Sequence, residues 1–169
     1  MNIFAVEECA EAAARALPDK LIVKMPLESA QMLSTAHRLL SPENYCEVYN
    51  IYKPAFVNHP CTIWARETHE NYRWLLIHWI TLCEEYYYRY ARYHASWTKL
   101  WDGLKIFPMN ITKGDLTPFA QAMPIQYKNP DNPIKAYRDY MIAEKHYAKW
   151  ERGTERPKWW SRMRGSDVN

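Results

Sequence analysis

Residues 64–94 read WARETHENYRWLLIHWITLCEEYYYRYARYH, a stretch with neither glycine nor proline. Within it Trp64, Tyr72, Leu75, Leu76, Trp79, Leu82, Cys83 and Tyr86 return at helical spacing, so their side chains line one face. That period, with no breaker inside it, predicts one long helix from about Trp64 to His94, opening after the turn Asn58-His59-Pro60. The apolar stripe is the core against which the rest of the chain must pack.

Working outward, the upstream chain is also helical. An Ala/Glu-rich segment from Glu7 to Leu17 is stopped by Pro18-Asp19, and a second helix is expected from about Asp19 to Leu40, with Leu21, Met25, Met32, Ala36 and Leu39 on one face. Pro26 inside it removes a hydrogen bond to the carbonyl of Ile22, so a kink is expected there unless the helix begins near that residue. Ser41-Pro42-Glu43 reads as a cap, a first-turn proline and an acid, and opens a short helix to about Tyr49. Downstream, Gly103, Pro108, Gly114, Pro118, Pro124 and Pro130 break any period between Ser96 and Pro133, which predicts a long irregular region. Asn132-Pro133 then starts a last helix to about Trp150. With almost nothing that reads as a strand, the expected fold is all-α: one compact domain over 1–169, three principal helices, a long irregular loop region and a basic, aromatic C-terminal tail.

Composition narrows the classes. At 169 residues and 48% hydrophobic the chain suits one sizeable core, and its 13 Tyr, 8 Trp and 4 Phe imply a core of large rings that keep their OH or NH groups partnered. It contains no charge-free run of eighteen apolar residues and no signal-peptide pattern, so a soluble cytoplasmic protein away from membranes is expected, in the host cytoplasm if the source is a phage. Cys9, Cys46, Cys61 and Cys83 have no paired spacing and read as free thiols. The six histidines have no metal-ligand spacing, and with 4 Gly there is no phosphate-binding or nucleophile-elbow pattern; no metal and no cofactor are expected.

Charge is concentrated at the end. Between 145 and 164 there are seven Lys or Arg against Glu151 and Glu155, a local balance of +5 in a chain of net +3, which leaves −2 for the remainder. Lys145, Lys149, Arg152, Arg156, Lys158, Arg162 and Arg164 alternate there with Tyr147, Trp150, Trp159 and Trp160. Cations for phosphates interleaved with rings for bases suggest a nucleic-acid surface; the other reading is a solvated tail whose Trp residues pack back onto the fold. On the second helix Lys20, Lys24, Glu28, Gln31 and Thr35 make a polar stripe, which by pattern alone is equally an ordinary wet face with a Lys24–Glu28 pair. His59, beside Pro60, has either a site role or a bond to a loop carbonyl.

The order of these features resembles the phage pyrimidine-dimer DNA glycosylase/AP lyase family, the T-even endonuclease V type. The resemblance rests on Met1-Asn2-Ile3-Phe4; on Lys24, Glu28 and Gln31 in the second helix, with Glu28 in the place of the family's glutamate; and on Ala136-Tyr137-Arg138, Glu144-Lys145 and Arg156-Pro157-Lys158-Trp159-Trp160 near the end. It implies a free N-terminal amine that attacks the deoxyribose C1′, expels the base and leaves an imine that undergoes β-elimination. Such an amine titrates at about 8, against about 10.4 for lysine, and is partly neutral at physiological pH. Asn2 is too large for ordinary methionine trimming, so the resemblance puts the nucleophile on Met1 itself, with Glu28 as the catalytic carboxylate. Leu27 and Ser29 stand where the family carries flanking arginines, a departure that bears on dimer specificity more than on DNA binding. Lys20, Lys24, Gln31, His59, Arg156, Lys158, Arg162 and Arg164 are the expected DNA contacts, with Trp159 and Trp160 stacking or wedging. The expected activity is glycosylase and AP lyase on double-stranded DNA by a monomer; the alternatives are a non-catalytic nucleic-acid-binding protein of the same fold and a phage-encoded protein-interaction module.

Overall fold

Helix caps written into the sequence divide the chain. In the computed structural model, which describes residues 1–160, the α-helices are α1 Ala10–Arg15, α2 Asp19–Leu40, α3 Glu43–Val48, α4 Pro60–Glu67, α5 His69–Tyr90, α6 Ala95–Leu104 and α7 Pro133–Glu144, with a 3-10 turn at Ile125–Tyr127. No strand occurs among the described residues, so the fold is all-α. α2, α5 and α7 are the longest, at 22, 22 and 12 residues. Pro18 stands in extended conformation just ahead of α2, Asp19 places an acid in its first turn, and the helix runs through Pro26 without interruption.

The expected single helix over 64–94 is two helices. Thr68 leaves helical conformation (φ −135°, ψ 159°), and its Oγ1 accepts the N–H of Asn71 at 3.1 Å. A threonine that satisfies an otherwise orphaned N–H can start a new helix in the middle of an unbroken apolar period. α5 then stops at Ala91, which adopts a left-handed φ of 53°. His94 caps α6 by accepting the N–H of Ser96 at 3.1 Å on Nδ1. α6 lies inside the region expected to be irregular, because Gly103 there is a packing residue and not a breaker. A β-carbon at Gly103 would meet Ile51 Cδ1 at 2.6 Å and Tyr49 Cβ at 2.8 Å, so α6 presses against the chain that follows α3 only through a glycine. α7 ends at Glu144, short of the expected Trp150, and residues 145–150 continue as a strap across the start of α2, where Lys149 O accepts the N–H of Asp19 at 2.9 Å.

α5 packs against α1 and α2, while α4 and α6 flank α2. Trp79, Tyr72, Tyr137, Leu75, Leu82, Met25, Met32 and Leu33 are fully buried between them. The two fully buried phenols are partnered: Tyr72 OH donates to Leu104 O at 2.9 Å and Tyr137 OH to Ala120 O at 2.6 Å. His37 lies 2.9 Å from Tyr72 OH, and burial pulls its pKa down to about 4. His78, stacked on Trp74 with ring centroids 5.0 Å apart, is pulled down to about 3 by the same cause.

One charged cluster ties the ends together. Arg89, whose side chain is buried, reaches Asp19 at 3.0 Å, Glu85 at 2.9 Å and the carbonyl of Leu17 at 2.9 Å. The same two carboxylates hold the C-terminal strap: Asp19 accepts the N–H of Glu151 at 2.9 Å, and Glu85 accepts the hydroxyl of Thr154 at 2.7 Å. Removing Arg89 would leave two poorly hydrated carboxylates facing each other, the kind of change that costs several kcal/mol.

Candidate functional site

The first six residues form no helix, yet residues 2–6 are all buried. Asn2 folds back to accept the N–H of Phe4 at 2.9 Å and donates to Ala122 O at 2.8 Å, while Phe4 adopts a φ of 40°. Arg138 of α7 donates to Val6 O at 2.8 Å and pairs with Glu7 at 2.7 Å. These contacts thread the N-terminus into the core and fix where its first atom emerges.

That atom lies beside Glu28. The α-nitrogen of Met1 is 3.7 Å from Glu28 Oε2, and Lys24 Nζ is 3.1 Å from the other carboxylate oxygen. The Met1 side chain is 1% exposed, yet the residue as a whole keeps intermediate exposure, so the accessible surface belongs to its main-chain end. Glu28 is 13% exposed at the side chain, well below what a solvated helix face would give, whereas the side chain of Lys24 is 67% exposed. The polar stripe of α2 is therefore graded: Lys20 and Lys24 face solvent, Glu28 and Gln31 are partly covered, and Thr35 is buried.

Two more elements reach this point. His59 is the N-cap of α4 and accepts the N–H of Cys61 at 3.2 Å on Nδ1, which leaves Nε2 to carry the proton of the neutral ring. Burial lowers its pKa, the Met1 ammonium lowers it further, and Glu28 opposes both, so His59 stands within electrostatic reach of the Met1–Glu28 couple. Cys61 lies behind it, 3.9 Å from Tyr137 OH, and burial pushes its thiol up to about 11, which keeps it protonated and non-nucleophilic. Thr35 pins the adjoining loop to α2: its Oγ1 accepts the N–H of Ala55 at 3.0 Å and donates to Gln31 O at 2.8 Å.

Basic residues of the strap approach the same side of α2. Lys20 Nζ sits 4.9 Å from the centre of the Tyr147 ring, and Lys145 Nζ bonds Tyr140 OH at 2.9 Å and lies 6.0 Å from the Phe4 ring. Lys145 and Tyr147 are residues the sequence-based site omits, although the alternation of cations and rings after α7 was their signal. Arg156 and Lys158 are exposed on a cleft of about 610 Å³ that Lys149, Trp150 and Trp160 also line.

The expectation for the two tail tryptophans changes. Trp160 is 3% exposed and meets Trp150 edge-on at 5.0 Å, so its indole is core and offers no face to a base. Trp159 is half-buried, with the Arg138 guanidinium 5.4 Å from its ring. The reason is amphipathic: next to a strap held by Asp19 and Glu85, indoles bury more surface inward than solvent allows. Arg162 and Arg164 lie outside the described residues. Among the described residues no group of three or more His, Cys, Asp or Glu is placed to hold a metal ion, and no helix is long and apolar enough to cross a membrane.

Comparison with known proteins supplies a family. A family profile described as pyrimidine dimer DNA glycosylase matches residues 1–99, which include Met1, Lys20, Lys24, Glu28, Gln31 and His59 and leave the C-terminal strap outside. No curated protein and no solved structure matches the chain. With more than half of its length matched, the chain belongs to the pyrimidine dimer DNA glycosylase family, whose substrate is DNA.

Proposed function

We propose that this chain is a single-domain DNA glycosylase with AP lyase activity, acting as a monomer on double-stranded DNA that carries a damaged or modified base. The α-amine of Met1 is the nucleophile and Glu28 the catalytic carboxylate. The observation that carries this reading is the 3.7 Å approach of the N-terminal amine, on a residue whose accessible surface is main-chain, to a largely buried carboxylate, held there by a buried N-terminal segment.

In the first step the lone pair of the neutral amine forms a bond to C1′ of the deoxyribose while the C1′–base bond breaks, and the electron pair leaves with the base. The nitrogen gives up a proton to Glu28. Opening of the sugar ring then breaks C1′–O4′, O4′ takes a proton from the carboxyl of Glu28, and an iminium joins Met1 to C1′. The restored carboxylate stabilises that cation and removes a C2′ proton, whose electrons expel the 3′-phosphate in β-elimination. Water releases the enzyme by hydrolysing the imine.

Around this couple, Lys20, Lys24, Arg156 and Lys158 serve the phosphates, joined by Lys145, and Gln31 and His59 contact the displaced nucleotide. Trp159 and Trp160 support the strap that carries the cations. Borohydride reduction in the presence of abasic duplex tests the proposal: a trapped adduct that maps to the Met1 peptide is expected. No adduct from protein that binds the duplex with steep salt dependence would leave a non-catalytic DNA-binding protein.

A further inference from the structure

Among the described residues one exposed apolar side chain combines two unusual properties. Phe56 is 67% exposed and has a φ of 48°. A bulky residue rarely adopts a left-handed backbone, and a largely exposed phenylalanine gains little in folding from its ring.

Its loop is nevertheless pinned on both sides. Ala55 is bonded to Thr35 of α2 at 3.0 Å, Arg66 of α4 donates to Val57 O at 2.8 Å, and the Phe56 carbonyl accepts the N–H of His59 at 2.9 Å. The exposed ring thus stands on a braced turn whose far end is His59, the cap of α4, whose ionisation feels the charges of both Met1 and Glu28. Along α2, Thr35 is seven residues beyond Glu28, or about 10 Å at 1.5 Å per residue. Seven residues are about two turns, so Thr35 and the alanine bonded to it lie on the Glu28 face of α2, and Phe56 is the next residue after that alanine; about 10 Å is the span of about three base steps.

We infer that Phe56 is a wedge: its ring enters the base stack of the duplex beside the nucleotide that swings out towards Met1 and Glu28, and fills the gap left behind. The inference rests on the proposed activity for its setting. A flat apolar ring recovers stacking lost on extrusion, and a pinned loop holds it ready without ordering cost at the moment of binding. Phe56 is a positioning residue, because it acts on the helix and not on the reacting atoms.

The test separates extrusion from chemistry. Phe56→Ala should lower cleavage of an abasic duplex by on the order of tenfold or more, the scale of one lost base–aromatic stack, while cleavage of a single-stranded abasic oligonucleotide stays within about twofold of wild type. Phe56→Trp should keep duplex cleavage. If Phe56→Ala lowers the melting temperature, Phe56→Gly, which suits the left-handed backbone and has no side chain to wedge, carries the same duplex-to-single-strand comparison. A second arm needs no chemistry: with an uncleavable tetrahydrofuran abasic duplex and 2-aminopurine beside the abasic position, wild type should raise the fluorescence and Phe56→Ala should not. Equal losses on both substrates, no loss on either, or an unchanged fluorescence response would overturn the wedge. Failure of wild type to cleave, with the fluorescence response intact and dependent on Phe56, would instead sink the lyase reading and leave the wedge standing.

Discussion

Replacing Glu28 by Gln keeps the shape of the side chain and its hydrogen-bonding capacity and removes one charge. The size of the effect follows from the 3.7 Å separation between Glu28 Oε2 and the Met1 nitrogen, which the proposed mechanism turns into an iminium. At about 4 Å and an effective dielectric of about 20, two unit charges attract by about 4 kcal/mol. Lys24, 3.1 Å from the other oxygen, already compensates part of the carboxylate, so roughly half of that attraction remains for charge that develops in the transition state. About 2 kcal/mol at about 1.4 kcal/mol per decade gives a loss of about 30-fold in single-turnover strand cleavage, and loss of the proton transfers assigned to the carboxylate deepens it to about 10²-fold or more. Duplex binding should hold or tighten slightly, since a negative charge leaves the surface proposed to meet phosphates. Gel-resolved single-turnover cleavage of an abasic duplex and a salt-matched binding titration are the measurements. Cleavage within about threefold of wild type would refute the catalytic role and reduce Glu28 to an ion-pair partner of Lys24.

Three further outcomes are expected. Acetylation of Met1, or an uncleaved N-terminal tag, should abolish the borohydride-trapped adduct without changing the far-ultraviolet circular dichroism; an adduct that persists and maps to Lys20 or Lys24 would move the nucleophile to a side chain. The double substitution Arg156→Ala/Lys158→Ala should flatten the salt dependence of duplex binding by roughly two contacts at about 0.9 each, and an unchanged slope would show that the exposed strap is merely solvated. Stability should fall with acid: the folded-state values of His37 and His78 are depressed to about 4 and about 3, so below about 6.5 the unfolded chain binds protons that the folded chain refuses. Between pH 7 and pH 5 this linkage removes about 2 kcal/mol per histidine, readable as a lower urea midpoint, and equal midpoints at the two pH values would contradict neutral burial.

What the sequence by itself determined is local. Pro18-Asp19 and Ser41-Pro42 bracket α2 at the boundaries observed, Asn132-Pro133 opens α7, and the absence of alternating patterns makes the fold helical, because caps and periods act over a few residues. The Lys24–Glu28 adjacency was legible for the same reason, as an i, i+4 pair. Thr68 shows the limit of periodicity: a capping side chain divides an apolar stripe without altering its spacing, and α6 was obscured because Gly103 is both a helix weakener in sequence and the residue that admits Tyr49 and Ile51 in space. Only the tertiary structure decided that Met1 meets Glu28 twenty-seven residues away, that His59 arrives from the cap of α4, and that Trp160 turns inward while Phe56 turns out. Residue identity alone does not say which ring is buried. That depends on whether a neighbouring surface can exclude water from it, and such surfaces are assembled by the Asp19–Glu85–Arg89 clamp on the strap and by the pinned loop at Thr35, contacts between residues far apart in the chain.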